Sequence, residues 1–159
     1  MKEIPLTQGK VALVDDGDYE YLMQWKWYAV WNGTVWSAAR RVNQESHRHE
    51  IKMQYQLMGR PPRRGVTIDH RDRNPFNFQR GNLRWATRAQ QNANRVVANS
   101  TGLRGVYRAR GKFKACVGGC GVGKRHLGTY QTAVEAARAY NTAALELYGE
   151  FACLNQIPA

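Results

Sequence analysis

The sequence predicts an α+β chain built from small antiparallel units, and three observations carry that prediction. Asn32-Gly33 stands between two aromatic-rich, β-prone runs, a strong hairpin signal. Three more β-prone runs, "GVYRAR", "KFKACVGG" and "KRHLGTY", are separated by glycines and followed by an alanine-rich helical pattern. Two capping boxes, Thr87 with Gln90 and Thr132 with Glu135, mark helix starts. At 159 residues the chain suits one ordinary domain or two small ones, and its 43% apolar content is enough for a folded core.

Taken in order, "KVALV" at 10–14 reads as a strand and "DDGD" at 15–18 as a turn. The aromatics around the Asn32-Gly33 hairpin, from Tyr19 to Trp36, read as core packing more than as base-stacking platforms, because this region is slightly acidic. "GRPPRRG" at 59–65 is a loop, since its prolines and glycines bar regular structure. "VTID" is a short strand that delivers Asp69-His70 to an Asn-, Asp-, Pro- and Gly-rich loop. Strand-like "LRWA" follows, and the first capping box predicts a helix over about 88–97. Residues 98–103 are a small, polar linker. Beyond it lies a sheet-then-helix unit over 104–159, with Gly149 placed to end the helix.

The net charge of +12 is unevenly spread. Residues 1–36 and 131–159 are each at −2, whereas 37–130 carry twenty bases against four acids. No carboxylate occurs between Asp72 and Glu135. A one-sign middle rich in arginine suits a polyanion, and the interleaved aromatics favour nucleic acid over a lipid surface. No apolar run is long enough for a membrane span, and "MKEIPLTQGK" lacks the apolar stretch of a secretory signal, so a soluble cytoplasmic protein is expected. Cys116, Cys120 and Cys153 lack paired C-x-x-C spacing, so small buried thiols are expected and no zinc site. "GGCGVGKR" at 118–125 imitates a phosphate-binding loop, but Arg125 replaces Ser/Thr and a strand follows where a helix is required. A hairpin turn explains those glycines better, and no nucleotide cofactor is expected.

The Asp69-His70 pair invites a specific chemistry. Hydrolysis of a phosphodiester needs an activated water and neutralisation of the leaving oxygen, which one Mg²⁺ held by hard oxygens supplies. A histidine near neutral pKa can take the proton of water. Adjacent residues on an extended strand point to opposite sides, so the pair can aim one group at metal and the other at water.

"IDHRDRN...GNLRWAT...N..R" resembles the HNH nucleases, with the order strand, loop, strand, helix of a ββα-metal core, here at about 53–97 within a first domain spanning 1–97. "IPLTQGKVALVDD" is similar to a β-unit of phage HNH proteins. The resemblance implies a homing-type endonuclease that nicks or cleaves double-stranded DNA with a single Mg²⁺ or Mn²⁺, in the host-cell cytoplasm if phage-encoded. It implies Asp69 as metal ligand, His70 as general base, Asn82 steadying the histidine loop, and Gln91 or Asn92 completing the metal site. Gln54 stands where relatives often carry histidine, and Gln91 where the ungapped count places the helix ligand. The competing reading is a catalytically decayed DNA-binding protein of the same family. Arg63, Arg64, Arg80, Arg84, Arg88 and Arg95 are expected to hold phosphates.

"RGVY", "HLGTY", "EAARAYNTAAL" and "YGEFACLN" resemble an APETALA-type (ethylene-response-factor) domain, in which a three-stranded sheet enters the DNA major groove and one helix packs behind it. That resemblance implies DNA contacts from Arg104, Arg108, Arg110, Lys112, Lys114 and Arg125. The departure is "ACVGGCGVG", where relatives carry a bulkier strand with an arginine.

Overall fold

The computed structural model describes residues 1–44, 47–95, 99–119 and 122–157. It is α+β, with several small sheets and four α-helices among these residues. By its internal contacts the chain divides into two compact units, Met1–Trp85 and Ala86–Ala159. None of the helices is long and apolar enough to cross a membrane.

In the first unit, β1 (Lys2–Pro5) pairs antiparallel with β2 (Val11–Val14). The expected turn at 15–18 is instead the start of helix α1 (Asp16–Leu22). Asp15 takes the extended N-cap conformation, and Asp16 and Asp18 lie in the first turn, where carboxylates suit the helix dipole. The helix buries Leu22 completely. The hairpin over Asn32-Gly33 forms as read: β3 (Tyr28–Trp31) pairs with β4 (Trp36–Gln44), with Trp31 opposite Trp36. Asn32 Oδ1 accepts the main-chain N–H groups of Thr34 and Val35 and so shapes the turn. β5 (His47–Lys52) adds to β4, and α2 (Met53–Met58) follows, burying Met53 and Leu57. β6 (Val66–His70) and β7 (Leu83–Thr87) make a two-stranded sheet. The division between units falls within β7, after Trp85.

The core of this unit gathers Ile4, Val14, Leu22, Trp27, Met53, Ile68, Phe78 and Leu83. Trp27 is a core residue, and Tyr19, Trp25 and Trp36 pack at the core's margin. Tyr21 and Trp31 are the exceptions, at 41% and 51% exposure.

In the second unit, α3 (Arg88–Asn94) starts at the first capping box, with Thr87 and Gln90 bonding reciprocally. The end expected near residue 97 lies outside the described residues, as do Val96, Val97 and Ala98 of the linker boundary. β8 (Val106–Ala109), β9 (Lys112–Gly119) and β10 (Val122–Tyr130) form an antiparallel sheet in the order β10-β9-β8. α4 (Ala133–Tyr148) begins at the second capping box and ends at Gly149. Ala136, Ala137, Tyr140, Ala143 and Ala144 are its buried stripe, packed against Val106, Ala115 and Val117 of the sheet.

Two glycines of this sheet region exist for space. A Cβ on Gly105 would lie 2.1 Å from the Tyr140 ring and 2.5 Å from the Cys116 carbonyl, at φ 71°. A Cβ on Gly118 would lie 2.3 Å from the Gly123 carbonyl. Gly118 therefore permits main-chain approach across the β9–β10 pair. Gly105→Ala combines left-handed strain with a clash, so it should destabilise the chain by about 2 kcal/mol or more. A lowered urea midpoint for loss of helical signal would show it.

Candidate functional site

His70 ends β6, and the loop that follows is built almost wholly from short polar side chains closing on one another. Asn82 is its hub. The Asn82 side-chain N–H groups donate to Asp72 Oδ1 and to the Asn77 carbonyl, both at 2.9 Å. Its Oδ1 accepts the Asp72 N–H at 3.0 Å, and its carbonyl accepts the Arg71 N–H at 2.9 Å. Asp72 Oδ1 also accepts the Asn74 N–H, and Asp72 Oδ2 accepts from the Asn77 amide at 2.8 Å. Asn74 and Asn77 repeat the pattern on Phe76 and Gln79. Arg73 takes φ 67° to donate its N–H to the His70 carbonyl at 3.0 Å.

Two further ties hold this loop within its unit. Leu13 of β2 exchanges main-chain bonds with Phe76 and Phe78, each 2.8 Å. Asp15 accepts from the Gln79 amide and the Arg80 N–H. Phe78 is fully buried and meets the His70 ring edge-to-face at 5.6 Å. The imidazole thus has an apolar wall on one side and carboxylates nearby.

Burial pushes the His70 imidazole below its ordinary range, against the opposing pull of Asp72 and then Asp69. The ring is neutral at neutral pH, the form that accepts a proton. For Asp72, burial alone would raise the carboxyl, but hydrogen bonds from Asn77, the Asn74 N–H and Asn82, with the His70 charge, carry it below its usual value.

Asp69 is the other half of the pair, and its partner is Arg84. The Arg84 Nε lies 3.0 Å and its Nη2 2.9 Å from Asp69 Oδ2. The two side chains are 6% and 11% exposed, so this ion pair is shielded from solvent. Arg84, expected from sequence to meet a phosphate, is here a buried partner of the acid, on the face of β7 opposite the core residue Leu83. Arg80 is similarly engaged: its Nε and Nη2 bind Asp18 at 2.8 and 2.7 Å and tie the loop to α1. Arg63 and Arg64 stand exposed in the loop before β6. Gln54 accepts from Ser37 Oγ at 3.3 Å.

The remaining expected site residues belong to the second unit. Gln91 and Asn92 lie on α3, flanked by exposed Arg88 and Arg95. Arg104 is a pin: its Nε donates to the Tyr140 hydroxyl at 2.6 Å, its Nη2 to the Asn92 carbonyl at 2.7 Å. Register sorts the other bases. Tyr107, Lys114 and Thr129 are cross-strand neighbours and share the sheet's outer face, and Lys124 joins them by lying over the Tyr107 ring at 4.2 Å. Alternation adds Lys112 to that face, and a register shift in β10 places His126 opposite Cys116 on it. Arg108 pairs in register with Phe113 on the opposite face, and Arg125 with Val117; Arg125 reaches Glu146 of α4 at 4.0 Å. Arg110 takes a positive φ in the β8–β9 turn. Sequence reading missed Tyr107, Lys124 and His126; Tyr107 shares the face only through the β8–β9 register that places it opposite Lys114.

Cys116 is buried as expected, Cys153 is only partly buried, and Cys120 lies outside the described residues. Among the described residues no group of three His, Cys, Asp or Glu side chains is placed to hold a metal. What the first unit offers a divalent cation is one shielded carboxylate, Asp69, with Arg84 on its Oδ2. One or two carboxylates plus water suffice for a Mg²⁺-type ion, so the donor set fits such a cation.

Residues 47–93 match the family model described as HNH endonuclease. The chain is also 36% identical over 93 residues to a protein of Acanthamoeba polyphaga mimivirus described as an uncharacterized HNH endonuclease. That alignment covers 58% of this chain and 48% of the viral protein, so the chain matches about half the length of its curated relative. No solved structure matches.

Asn82→Ala would leave the Asp72 N–H and the Asn77 carbonyl without their partner, at a cost of about 1–3 kcal/mol in unfolding free energy. The pH dependence has a definite sign in the metal-free chain. His70 has a depressed folded pKa, so below about pH 6.5 the unfolded state holds the extra proton, and stability falls as pH drops toward the folded pKa. Asp72, also depressed, adds to the same loss at lower pH. Unfolding measured between neutral and acid pH should show this decline, much reduced in His70→Phe above the carboxylate range.

Proposed function

We propose that the chain is a DNA endonuclease of the HNH type, with His70 as the base that activates water. The observation that carries this reading is the shielded imidazole of His70, set against Phe78 beside Asp69, within the segment that matches the HNH endonuclease family. Phe78 holds the ring edge-on and excludes water from that side. A ring nitrogen of the imidazole would accept the proton of the water attacking phosphorus. The Asp72 carboxylate, kept ionised by its amide partners, stabilises the imidazolium formed by that transfer. Asn82 acts on the loop and not on the reacting atoms, fixing where Asp72 and the chain after His70 lie.

A divalent cation, Mg²⁺ or Mn²⁺, would be held by Asp69 and would neutralise the leaving oxygen. Arg84 would orient the carboxylate by gripping Oδ2. The role of Gln91 or Asn92 as a further ligand rests on the sequence resemblance. Exposed Arg63 and Arg64 in the first unit, with Arg88 and Arg95 in the second, are the arginines best suited to phosphate.

The second unit reads as the DNA-tethering module of APETALA type, and the support is its outer sheet face of Tyr107, Lys112, Lys114, Lys124 and His126. Duplex contact through this face assigns base or phosphate roles to those side chains and removes Arg104 from them, since its guanidinium is spent on Tyr140 and Asn92. Target sequence and homing behaviour follow from this assignment only as expectations of the resemblance.

Supercoiled plasmid incubated with Mg²⁺ or Mn²⁺ should be converted to nicked circles by the wild type, and His70→Ala should lower that rate by at least 10²-fold, the usual range for a general base. Equal nicking by the two proteins would refute the assignment, and no nicking by either would favour a DNA-binding protein with a decayed core. Lys114→Ala should weaken duplex binding across all sequences and reduce the slope of log affinity against log salt by about one. Titrations at several salt concentrations measure it.

A further inference from the structure

The first unit carries a second concave feature whose lining shares no residue with the His70 loop. It is an open groove of about 590 Å³, lined by Trp25, Lys26, Tyr28, Arg40 and Arg41 together with small groups from the β1–β2 connection. That volume falls within the roughly 300–1,000 Å³ typical of small-molecule sites.

The groove is built from guanidinium–aromatic pairs. Arg40 lies over the Trp25 ring at 4.3 Å from its centroid. Its Nε and Nη2 both donate to Gln56 Oε1, at 3.2 and 2.9 Å. Gln56 donates in turn to the Tyr21 hydroxyl, and the Tyr21 ring braces Trp25 edge-on at 5.1 Å. Arg40 is therefore a plate already fixed in place, so little rotamer freedom remains to be lost when a ligand binds. Arg41 lies over Tyr28 at 5.5 Å, and Lys26 is exposed between the two pairs in sequence. Glu50, opposite Arg41 in the β4–β5 register, accepts from the Tyr28 hydroxyl and is the counter-charge. Three cations against this acid leave the lining positive.

This combination selects among ligands. A bare phosphate has no use for flat aromatic and guanidinium surfaces, and a lipid tail has none for fixed cations. Duplex DNA hides its base faces in the stack, whereas a single strand offers both a π-face and a phosphate at each nucleotide. We propose that this groove binds a nucleotide of single-stranded nucleic acid, the base lying on the Arg40–Trp25 and Tyr28 surfaces and the flanking phosphates meeting Lys26 and Arg41. The site stands independently of the nuclease reading and adds to it a place for an unpaired strand.

The test is a titration of the full chain in metal-free buffer at physiological salt. The probes are a labelled hexathymidylate and an abasic hexamer of the same charge. Base stacking predicts about tenfold tighter binding of the base-bearing probe. Arg41→Ala, at an exposed position, and Arg40→Gln should each shrink that preference to about twofold or less. A 4-thiothymidine probe should crosslink within the segment from Trp25 to Tyr28. Equal affinity for the two probes, an undiminished preference in both arginine variants, or crosslinks confined to other segments would overturn the proposal. His70→Ala should keep the base preference, so a chain that nicks nothing yet prefers the base-bearing probe sinks the nuclease reading alone. A chain that nicks without that preference sinks the groove alone.

Discussion

Asn82 uses both ends of its side-chain amide and its main-chain carbonyl to close the loop between β6 and β7, and the rest of the candidate site depends on that closure. A loop of this length has no helix or ladder to satisfy its N–H and carbonyl groups. Asn74, Asn77, Asn82 and Asp72 supply the missing partners from side chains. Once closed, the loop delivers Phe78 into the core, and Phe78 in turn gives His70 its apolar wall. The depressed basicity of His70 is thus a consequence of loop closure and not of the histidine itself. Asp72 sits at the junction of both effects, as an acceptor for the loop and as a charge facing the imidazole.

A second constraint concerns arginine. In a chain with so few acids, several of them fix particular arginines. Asp69 takes Arg84, Asp18 takes Arg80, and Glu146 stands near Arg125. The buried pair Asp69–Arg84 differs from the others because neither group meets solvent freely. Separating such a pair exposes an uncompensated buried charge, so Arg84 constrains the carboxylate strongly. The arginines left for a polyanion are those on loops and helix ends, where no acid lies in the same stretch. The positive middle of the sequence therefore serves two ends, internal scaffolding and surface attraction.

Much of the fold was legible because local signals were strong. Both capping boxes start helices where they were read, the Asn32-Gly33 turn joins two strands, and the glycine-separated runs form one sheet. The misses were weaker signals. α1 was hidden because Asp15, Asp16, Gly17 and Asp18 are turn formers by composition, yet the same carboxylates serve a helix start. β1 is a four-residue strand interrupted by no pattern of its own, and it exists by pairing with β2. α2 spans six residues, too few to show a period.

For the candidate site, the sequence alone determined the chemistry on offer: Asp69 next to His70, an asparagine at position 82, and a long acid-free stretch crowded with arginine. Those follow from residue identity and order. Only the tertiary structure decided that Arg84 turns inward to Asp69, that Asp72 becomes the anchor of the loop, and that Arg40 is stacked and held while Arg41 stands exposed. The reason is that a side chain's charge is written in the sequence. Its solvation and its partner depend on which face of a strand it takes and on what the rest of the chain brings opposite.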